Sequence, residues 1–300
     1  MSTANNTKVS IIIPSRNVKE DLKKCLTSLF NSHNKVEFEV IVSDSNSNDG
    51  TSEMIAEHFP WVKMQASKEV GSYASSINRG IKSATGQYLL FLDSDVIINE
   101  RVVPELANFL ESNPDVGSVV CKTFYPDGSL QLMVKRFPTP LHSFFGRETF
   151  LTRFFPNNKI SRDYLMLDKI HQQAKPFEID SASSACMMIR KEILDTAGFF
   201  DEGYSFYWAD IDYCRRIRDC GWKIYFIPGV SVIHDMRNNI DKKKSFFAIK
   251  AFHQGVYRYF RKHCTKSPFH PLNLVAFIGL SARAALQLLL NFFKSTKRVD

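Results

Sequence analysis

Two carboxylates stand directly after a hydrophobic run in the stretch LLFLDSDVIIN, residues 89–99. Asp93 and Asp95 are one residue apart, and side chains at i and i+2 of an extended segment point to the same side. Two like charges in this arrangement repel each other unless a cation lies between them. Carboxylates, together with substrate phosphates, are the ligands that Mg²⁺ and Mn²⁺ prefer. The pair therefore predicts a divalent cation site, and a pair that caps the following helix is the structural alternative.

Two further polar segments could meet a nucleotide. Residues 43–51, SDSNSNDGT, contain mostly Asp, Asn, Ser and Gly, which turn easily and offer many hydrogen-bonding groups. Asp44 in this run could accept the imide N–H of a uracil or thymine ring, and a purely structural loop is the alternative. Residues 69–81, EVGSYASSINRGI, place Gly71 and Asn78 near a helix start that a nucleotide could approach. Close packing of small residues against a sheet is the alternative there.

A parallel sheet is predicted to position these residues. The first 122 residues alternate between strand-like and helix-like segments. The strand-like segments are 9–13, 37–43, 62–67, 87–93 and 116–123, and the helix-like segments are 19–32, 51–59, 72–84 and 101–112. This alternation predicts an α/β fold with a mostly parallel sheet flanked by helices. Ligands bind beyond the carboxyl ends of such strands, so Pro14, Asp44 and Asp93 are expected in one crevice.

Composition limits the class of protein. The chain has 300 residues, 44% of them hydrophobic, which suits one large domain or a domain with an appendage. The formal net charge is +8, with the basic excess in 241–244, 258–266 and 294–298, and such an excess suits nucleic acid or an anionic membrane. The six cysteines show no paired or zinc-type spacing and are expected to be reduced thiols of a cytosolic protein. The first residues lack an apolar signal core, which predicts no secretion.

Five motifs together resemble an inverting glycosyltransferase of family 2, which has the GT-A fold. They are VSIIIPSRN, VIVSDSNSNDGT, VGSYASSINRG, YLLFLDSDV and GFFDEGYSFYWADIDYCRRIRDCGWKIYFIPGVSVIH. Their order and spacing make the resemblance specific, and it covers most of the chain. It implies a Rossmann-like catalytic domain over 1–240, with a nucleotide-sugar-binding half at 1–123 and an acceptor half at 124–240. A helical, membrane-associating extension is expected at 241–300.

The resemblance implies a role for each matching residue. The donor-binding residues would be Pro14, Ser15, Arg16, Asp44, Ser45, Gly71, Asn78, Asp93 and Ser94. Asp44 would contact the pyrimidine base, and Asp93 would lie near the ribose and diphosphate. Asp95 would bind the Mg²⁺ or Mn²⁺ that bridges the diphosphate, and His234 would contact the metal or the diphosphate.

The last of the five motifs would carry the catalytic base. In the family it usually reads Glu-Asp-x-Asp-Leu-Cys-x-Arg, and here WADIDYCRR has Ala209 in place of the glutamate. Asp210 is therefore the predicted general base, which takes the proton of the attacking sugar hydroxyl. The candidate acceptor contacts are Tyr207, Trp208, Asp212 and Arg136.

The middle block most resembles bacterial rhamnosyltransferases of O-antigen and cell-wall assembly. The matching stretches are VKRFPTPLHSFF, FEIDSASSACMMIRKEILDTAGFFDE and FYWADIDYCRR. This resemblance implies dTDP-L-rhamnose as the donor and a lipid-linked saccharide as the acceptor. A UDP-hexose donor remains the alternative, because thymidine and uridine donors differ only in a ribose hydroxyl and a methyl group.

The C-terminal segment predicts a membrane-associated helix. Residues 272–293, LNLVAFIGLSARAALQLLLNFF, would form a helix about 33 Å long, enough to span a bilayer. A polar stripe makes a helix in the cytoplasmic membrane interface the favoured interpretation. The stripe is Arg283, Gln287, Asn291 and Lys294, and the expected basic anchors are Lys294, Lys297 and Arg298. The alternative is a soluble helix that packs on the catalytic domain or in a homodimer.

Three other classes share some of these features. A nucleic-acid-binding module would use the basic surplus but would not need two aspartate sites at strand ends, so no nucleic acid partner is predicted. A nucleotidyltransferase would need a glycine- and lysine-rich triphosphate loop, for which SIIIPSRNVKED is a poor candidate. A non-catalytic sugar-nucleotide binder is compatible with Ala209.

Overall fold

The computed structural model describes residues 9–32, 37–143, 150–236, 245–265 and 267–292. The strands are β1 (Val9–Ser15), β2 (Phe38–Ser45), β3 (Lys63–Ser67), β4 (Tyr88–Leu92), β5 (Val96–Ile97), β6 (Val116–Phe124), β7 (Leu130–Gln131), β8 (Val134–Lys135), β9 (Phe177–Ile179), β10 (Ser181–Ala182), β11 (Cys186–Arg190) and β12 (Lys223–His234). The helices are α1 (Lys19–Phe30), α2 (Thr51–His58), α3 (Tyr73–Ser83), α4 (Val102–Ser112), α5 (Phe150–Phe154), α6 (Lys159–Tyr164), α7 (Leu167–Gln172), α8 (Ile193–Thr196), α9 (Ala209–Asp219), α10 (Phe246–Tyr259) and α11 (Leu272–Phe292).

The centre of the described chain is a ten-stranded sheet. Its order is β3-β2-β1-β4-β11-β6-β12-β5, with β7 beside β6 and β9 beside β12. The first four strands of the chain are parallel, and β12 runs parallel to β6. One interior strand, β11, runs antiparallel to both of its neighbours, β4 and β6. The predicted α/β fold with a mostly parallel sheet is therefore confirmed, and the reversed β11 is an addition that the sequence pattern did not predict.

Helices cover both faces of this sheet. Strands β1 and β4 are apolar along nearly their whole length because both of their faces are buried. On one face, α1, α2 and α4 contribute Leu22, Met54 and Leu106 to the core. On the other face, α3 and α9 contribute Ile77 and Tyr213. The sheet is thus held between two hydrophobic layers, and its carboxyl edge is left for polar residues.

Helix α3 lies unusually close to the sheet. A Cβ on Gly80 would lie 2.4 Å from Cγ2 of Ile12, so only glycine fits at this position. The small residues of this segment therefore serve close helix–sheet packing. This packing brings the start of α3 to the carboxyl ends of β1 and β2.

The predicted C-terminal extension forms two helices in its described part. Helix α10 packs on the loop before α9, and Ile249, Ala251 and Tyr259 are buried there. Helix α11 is the one helix within the described ranges that is long and apolar enough to cross a membrane. Residues 237–244 and the predicted anchors Lys294, Lys297 and Arg298 lie outside the described residues.

Candidate active site

The two aspartates of the opening stretch lie in a tight turn between β4 and β5. The N–H of Asp93 donates to the carbonyl of Ala185 at 2.9 Å, and the N–H of Asp235 donates to the carbonyl of Asp95 at 2.9 Å. Val96 in β5 pairs with His234 at the end of β12. Backbone hydrogen bonds therefore bring the end of β12 beside the aspartate pair, although about 140 residues separate them in sequence.

Asp93, Asp95 and His234 form a cluster with the composition of a divalent cation site. Nε2 of His234 lies 3.1 Å from Oδ1 of Asp95 and 3.9 Å from Oδ2 of Asp93. One ligand atom from each residue lies within 4.8 Å of the others. The aspartate side chains are 26% and 22% exposed and the histidine 5%, so the cluster opens to solvent on its carboxylate side. Oxygen ligands with one imidazole suit Mg²⁺ or Mn²⁺, so these residues fit the predicted metal.

Gln131 orients the histidine of this cluster. Its side-chain Nε2 donates to the main-chain carbonyl of His234 at 2.8 Å, which turns Oε1 toward Nδ1 of the imidazole at 3.1 Å. Nδ1 therefore donates to Gln131, and Nε2 is directed at the aspartates, where it donates to Asp95 when protonated and could bind a cation when deprotonated. Gln131 is buried, and sequence reasoning missed it because its part in the site depends on the antiparallel pairing of β7 with β6.

The carboxylates and the imidazole of the cluster shift each other's pKa values. Burial raises the pKa of Asp93 to about 6; the charge of His234 opposes this rise, and that of Asp95 adds to it. Burial would lower the pKa of His234, but the two carboxylates outweigh burial and raise it. Negative charge thus accumulates at this turn, as at a cation site.

Tyr73, the first residue of α3, also reaches this turn. Its hydroxyl donates to Oδ1 of Asp93 at 3.0 Å and lies 3.0 Å from Oγ of Ser184, which then donates to it. Burial and the charge of Asp93 raise the pKa of Tyr73, so the hydroxyl keeps its proton for this hydrogen bond. The sequence motif drew attention to Gly71 and Asn78, and no signal in it distinguished Tyr73 from a core residue.

The predicted nucleotide-base pocket lies at the ends of β1 and β2. Ser15 pairs in register with Asp44, and both side chains are buried. Asp44 accepts from the N–H of Ser47 at 2.9 Å and from its hydroxyl at 2.5 Å. The Ser15 hydroxyl is buried with no hydrogen-bond partner, an arrangement that calls for an explanation such as a bound ligand or water.

The other candidate donor-binding residues lie around the ends of β1 and β2, the aspartate turn and the start of α3. Pro14 is half-buried and Arg16 is exposed at the mouth of this pocket, and Ser94 is half-buried in the aspartate turn. The hydroxyl of Ser45 is 2.7 Å from that of Ser76, which ties β2 to α3. At Gly71, an added Cβ would lie 2.3 Å from Oγ of Ser75, so a larger residue would disturb the start of α3.

Asn78 does not face the site. Its amide nitrogen donates to the carbonyl of Phe200 at 2.9 Å and to Oε1 of Glu202 at 2.8 Å, and its oxygen accepts from the N–H of Phe200 at 3.0 Å. The side chain is buried and all its strong hydrogen-bonding groups are used. The structure therefore corrects the expectation of a donor contact: Asn78 links α3 to the loop before α9.

Asp210 lies in the first turn of α9, on the same side as the aspartate turn. Its Oδ1 accepts from the N–H of Ile211 at 2.8 Å. Burial raises its pKa, with the charge of Lys135 acting against this rise. Its own charge contributes to the raised pKa of Asp93 and of Tyr164, which places these groups in one electrostatic neighbourhood. A half-buried carboxylate with a raised pKa is suited to accept a proton near neutral pH.

Three of the four acceptor candidates lie at or near the surface of the described chain. Tyr207 and Trp208 lie half-buried directly before α9 and contact the ring of Phe252 in α10. Arg136 is turned toward Asp163, whose carboxylate oxygens both lie 3.1 Å from its Nε. The basic residue whose charge acts on Asp210 is the preceding one, Lys135.

Asp212 lies away from the crevice, in the interior. Its carboxylate has no exposed surface and accepts from Tyr204, Arg216, Lys262 and His263. An acceptor sugar cannot reach a carboxylate that is fully enclosed by protein donors. The structure therefore corrects the predicted acceptor contact of Asp212 and assigns it to an internal ion cluster.

Comparisons with known proteins agree with the fold and the motif series. Residues 10–198 match the family model described as Glycosyl transferase family 2. The N-acetylglucosaminyl-diphospho-decaprenol L-rhamnosyltransferase of Mycobacterium tuberculosis (strain ATCC 25618 / H37Rv) is 21% identical over 229 residues, which are 73% of this chain and 73% of the relative. Rhamnosyltransferase WbbL of Escherichia coli (strain K12) is 25% identical over 259 residues, 81% of this chain and 88% of WbbL.

Solved structures share the fold at low sequence identity. S. aureus TarS superposes with a TM-score of 0.53 and 17% identity, over 94% of this chain and 49% of that structure. GalNAc-T7, solved with UDP, GalNAc and Mn²⁺, superposes with a TM-score of 0.58 and 14% identity, over 94% of this chain and 55% of that structure. At these identities the likeness concerns the fold alone.

Proposed function

Because this chain belongs to glycosyl transferase family 2, we propose that it moves L-rhamnose from dTDP-L-rhamnose to a hydroxyl of a lipid-linked saccharide in cell-wall or O-antigen synthesis. The similarity to relatives named as rhamnosyltransferases supports the sugar. The name of the mycobacterial relative supports a polyprenyl-diphosphate acceptor. The single observation that carries the proposal is the crevice in which the carboxylates of Asp93 and Asp95 meet His234, with Asp210 close enough to influence Asp93.

The residues of the crevice suit an inverting transfer. The acceptor hydroxyl oxygen attacks the anomeric carbon, its proton passes to a carboxylate oxygen of Asp210, and the bond to the diphosphate oxygen breaks. Asp44 and Ser15 would hold the pyrimidine and fix the donor beside the aspartate turn. Asp95 and His234 would hold the cation. Mg²⁺ or Mn²⁺, when bound, supplies positive charge to the leaving diphosphate.

Transfer assays with a panel of donors test this function. Purified protein would be given dTDP- and UDP-sugars with a short-chain polyprenyl-diphosphate N-acetylglucosamine acceptor, in Mg²⁺, Mn²⁺ or EDTA. We expect turnover of dTDP-L-rhamnose, about 10²–10⁴-fold slower in Asp210→Asn, because general-base catalysis contributes that factor. The control is Asp195→Asn, an exposed aspartate within α8, which should keep wild-type turnover.

Each other outcome has a definite meaning. Turnover of a UDP-hexose instead would keep the reaction class and discard rhamnose. Binding of dTDP-L-rhamnose without turnover in any metal would favour a non-catalytic binder, the alternative that Ala209 suggests. Wild-type turnover by Asp210→Asn would remove Asp210 from the mechanism.

We propose further that α11 attaches the enzyme to the anionic inner face of the cell membrane, where a lipid-linked acceptor resides. Its apolar side chains face outward: Leu274 is 64% exposed and Leu290 58%. Its polar residues Arg283 and Gln287 are half-buried instead. A surface helix of a soluble protein has the opposite arrangement, with its apolar stripe toward the core. Basic residues of the preceding segment, such as Arg261, suit anionic headgroups.

Vesicle co-sedimentation of the full chain tests this attachment. We expect binding to vesicles that contain phosphatidylglycerol, weaker binding to pure phosphatidylcholine, and loss of both in the double variant Leu286→Glu, Leu290→Glu. The control is Phe30→Glu, which adds one such negative charge at an exposed apolar residue of α1. If the wild type binds no vesicle and is a dimer that the double variant converts to a monomer, α11 is a subunit interface and the proposal fails.

A further inference from the structure

The C-terminal segment contacts the chain on both sides of Asp210. We define the clamp segment as residues 246–265, which comprises α10 and the π-helical turn after it. This segment touches Trp208, two residues before Asp210, and Asp212, two residues after it. Nothing in the motif series predicted these contacts, because the segment lies outside the part of the chain that matches the family model.

The first contact holds an uncommon backbone conformation. Trp208 has a φ of 77°, in the left-handed region that a bulky residue adopts only when its surroundings impose it. Its ring packs on Phe252 and Tyr259 of α10, with ring centroids 5.9 and 5.4 Å apart. Gly255 makes this approach possible, since a Cβ there would lie 2.8 Å from Cδ1 of Trp208 and 3.0 Å from the carbonyl of Tyr207. Helix α10 thus fits against the residues that lead into α9.

The second contact is the ion cluster around Asp212. Nε2 of His263 lies 2.8 Å from Oδ1 of Asp212, and Nζ of Lys262 lies 2.9 Å from the same oxygen. Arg216, one turn further along α9, adds a bond of 2.9 Å to the other oxygen. Because Asp212 has no exposed surface, removing one cation would leave part of its charge unbalanced in the interior. The first turn of α9 is therefore tied to the clamp segment by charge as well as by packing.

From these two contacts we propose that the clamp segment positions Asp210 for catalysis. The inference rests on the proposed function, in which Asp210 is the base. The hydrogen bond that Asp210 accepts from Ile211 lies within its own turn and moves with the helix. The core packing of Tyr213 holds the body of α9, while residues 208 and 212 fix the turn that carries Asp210, and the clamp segment holds both of these residues. Lys262 and His263 act through Asp212 and are therefore positioning residues, and Trp208, a predicted acceptor contact, would also position Asp210 through the backbone.

Gly255→Ala tests the packing contact, with Gly229→Ala as its matched control. The methyl of Gly255→Ala meets Trp208, whereas that of Gly229→Ala meets nothing within 4 Å. With dTDP-L-rhamnose and the polyprenyl-diphosphate acceptor, we expect Gly255→Ala to lower kcat about 10–100-fold, as a small misplacement of a catalytic group does. The Kd for dTDP, measured by titration calorimetry, should stay unchanged because the clamp segment does not reach the nucleotide pocket. Gly229→Ala should match the wild type in both.

Lys262 gives a second test that changes charge and leaves the apolar core contacts in place, since its partly exposed side chain pairs with Asp212 and Asp201. Lys262→Met should lower kcat without weakening dTDP binding, and Lys262→Arg, which keeps the charge, should restore it. A general folding defect would instead lower Tm and dTDP binding together in both Gly255→Ala and Lys262→Met. That result, or wild-type kcat in both variants, would overturn the proposal.

Asp210→Asn, measured in parallel, distinguishes a failure of the proposed base from a failure of the proposed clamp. If Asp210→Asn loses turnover while Gly255→Ala and Lys262→Met keep it, the proposed base stands and the clamp is overturned. If Asp210→Asn retains wild-type kcat, the proposed function loses its base, and the clamp inference falls with it. Loss of kcat in all three variants, with dTDP binding preserved, supports both.

Discussion

Glu39 is expected to stabilise the nucleotide-binding half of the sheet in a strongly pH-dependent way. Its carboxylate accepts from the hydroxyl of Ser10 and from Nζ of Lys63 at 2.6 Å each, and from the N–H and hydroxyl of Thr85 at 2.7 and 2.6 Å. These donors come from β1, β3 and the turn before β4, while Glu39 itself lies in β2. One side chain therefore joins the four parallel strands at the end opposite the candidate active site.

The pKa of Glu39 gives the size of its contribution to the free energy of unfolding. Burial would raise it, but the hydrogen bonds from Lys63, Ser10 and Thr85 outweigh burial and lower it from 4.5 to about 2. Because the side chain is only 10% exposed, this difference converts to about 3 kcal/mol of unfolding free energy at neutral pH. The exposed position of Lys63 makes this an upper value. A depressed folded pKa means that the stabilisation is complete above pH 4.5 and is lost as pH falls through 2.

Urea denaturation of Glu39→Gln at two pH values measures this contribution. The variant keeps the shape of the side chain but lacks the charge, so it should be less stable than the wild type by about 3 kcal/mol at pH 7 and by about 1 kcal/mol at pH 3. Glu57→Gln, an exposed carboxylate on α2, is the control and should stay within about 0.5 kcal/mol of the wild type. Equal destabilisation of Glu39→Gln at both pH values would refute the electrostatic explanation and leave only lost packing.

Further predictions concern the metal cluster and the core. Gln131→Ala should weaken Mn²⁺ binding roughly 10–100-fold, because His234 loses the partner that fixes its tautomer; an unchanged Kd in calorimetry would contradict this role. Gly80→Ala should cost about 1–3 kcal/mol of unfolding free energy, since the methyl would overlap Ile12. Denaturant titration measures it, and wild-type stability would mean that α3 shifts without cost. Adding Mn²⁺ to EDTA-treated protein should raise Tm as the charge of the aspartate turn is neutralised, and an unchanged Tm would speak against a metal there.

Much of the fold followed from the sequence because its signals are local. Apolar runs with intervening helical spacing, such as 9–13 followed by 19–32, determined the parallel sheet and its two helical layers. The polar residues after each run were expected at one edge because parallel strands share their carboxyl ends. The same reasoning placed Asp93 and Asp95 together, and the resemblance to the family added His234.

Other features depend on contacts between distant parts of the chain. The sequence predicted Asp210 as the base and Asp212 as an acceptor contact, so it placed both acidic residues of this first helical turn in the candidate site. The packing of Tyr204, Arg216 and residues 262 and 263 around Asp212 encloses that carboxylate, whereas Asp210 is only half-buried. Gln131 and Tyr73 likewise gain their places from strand pairing and helix packing. Residue types and their spacing thus determined the chemistry that we predict for this protein, and tertiary burial decided which of two neighbouring aspartates stays accessible for it.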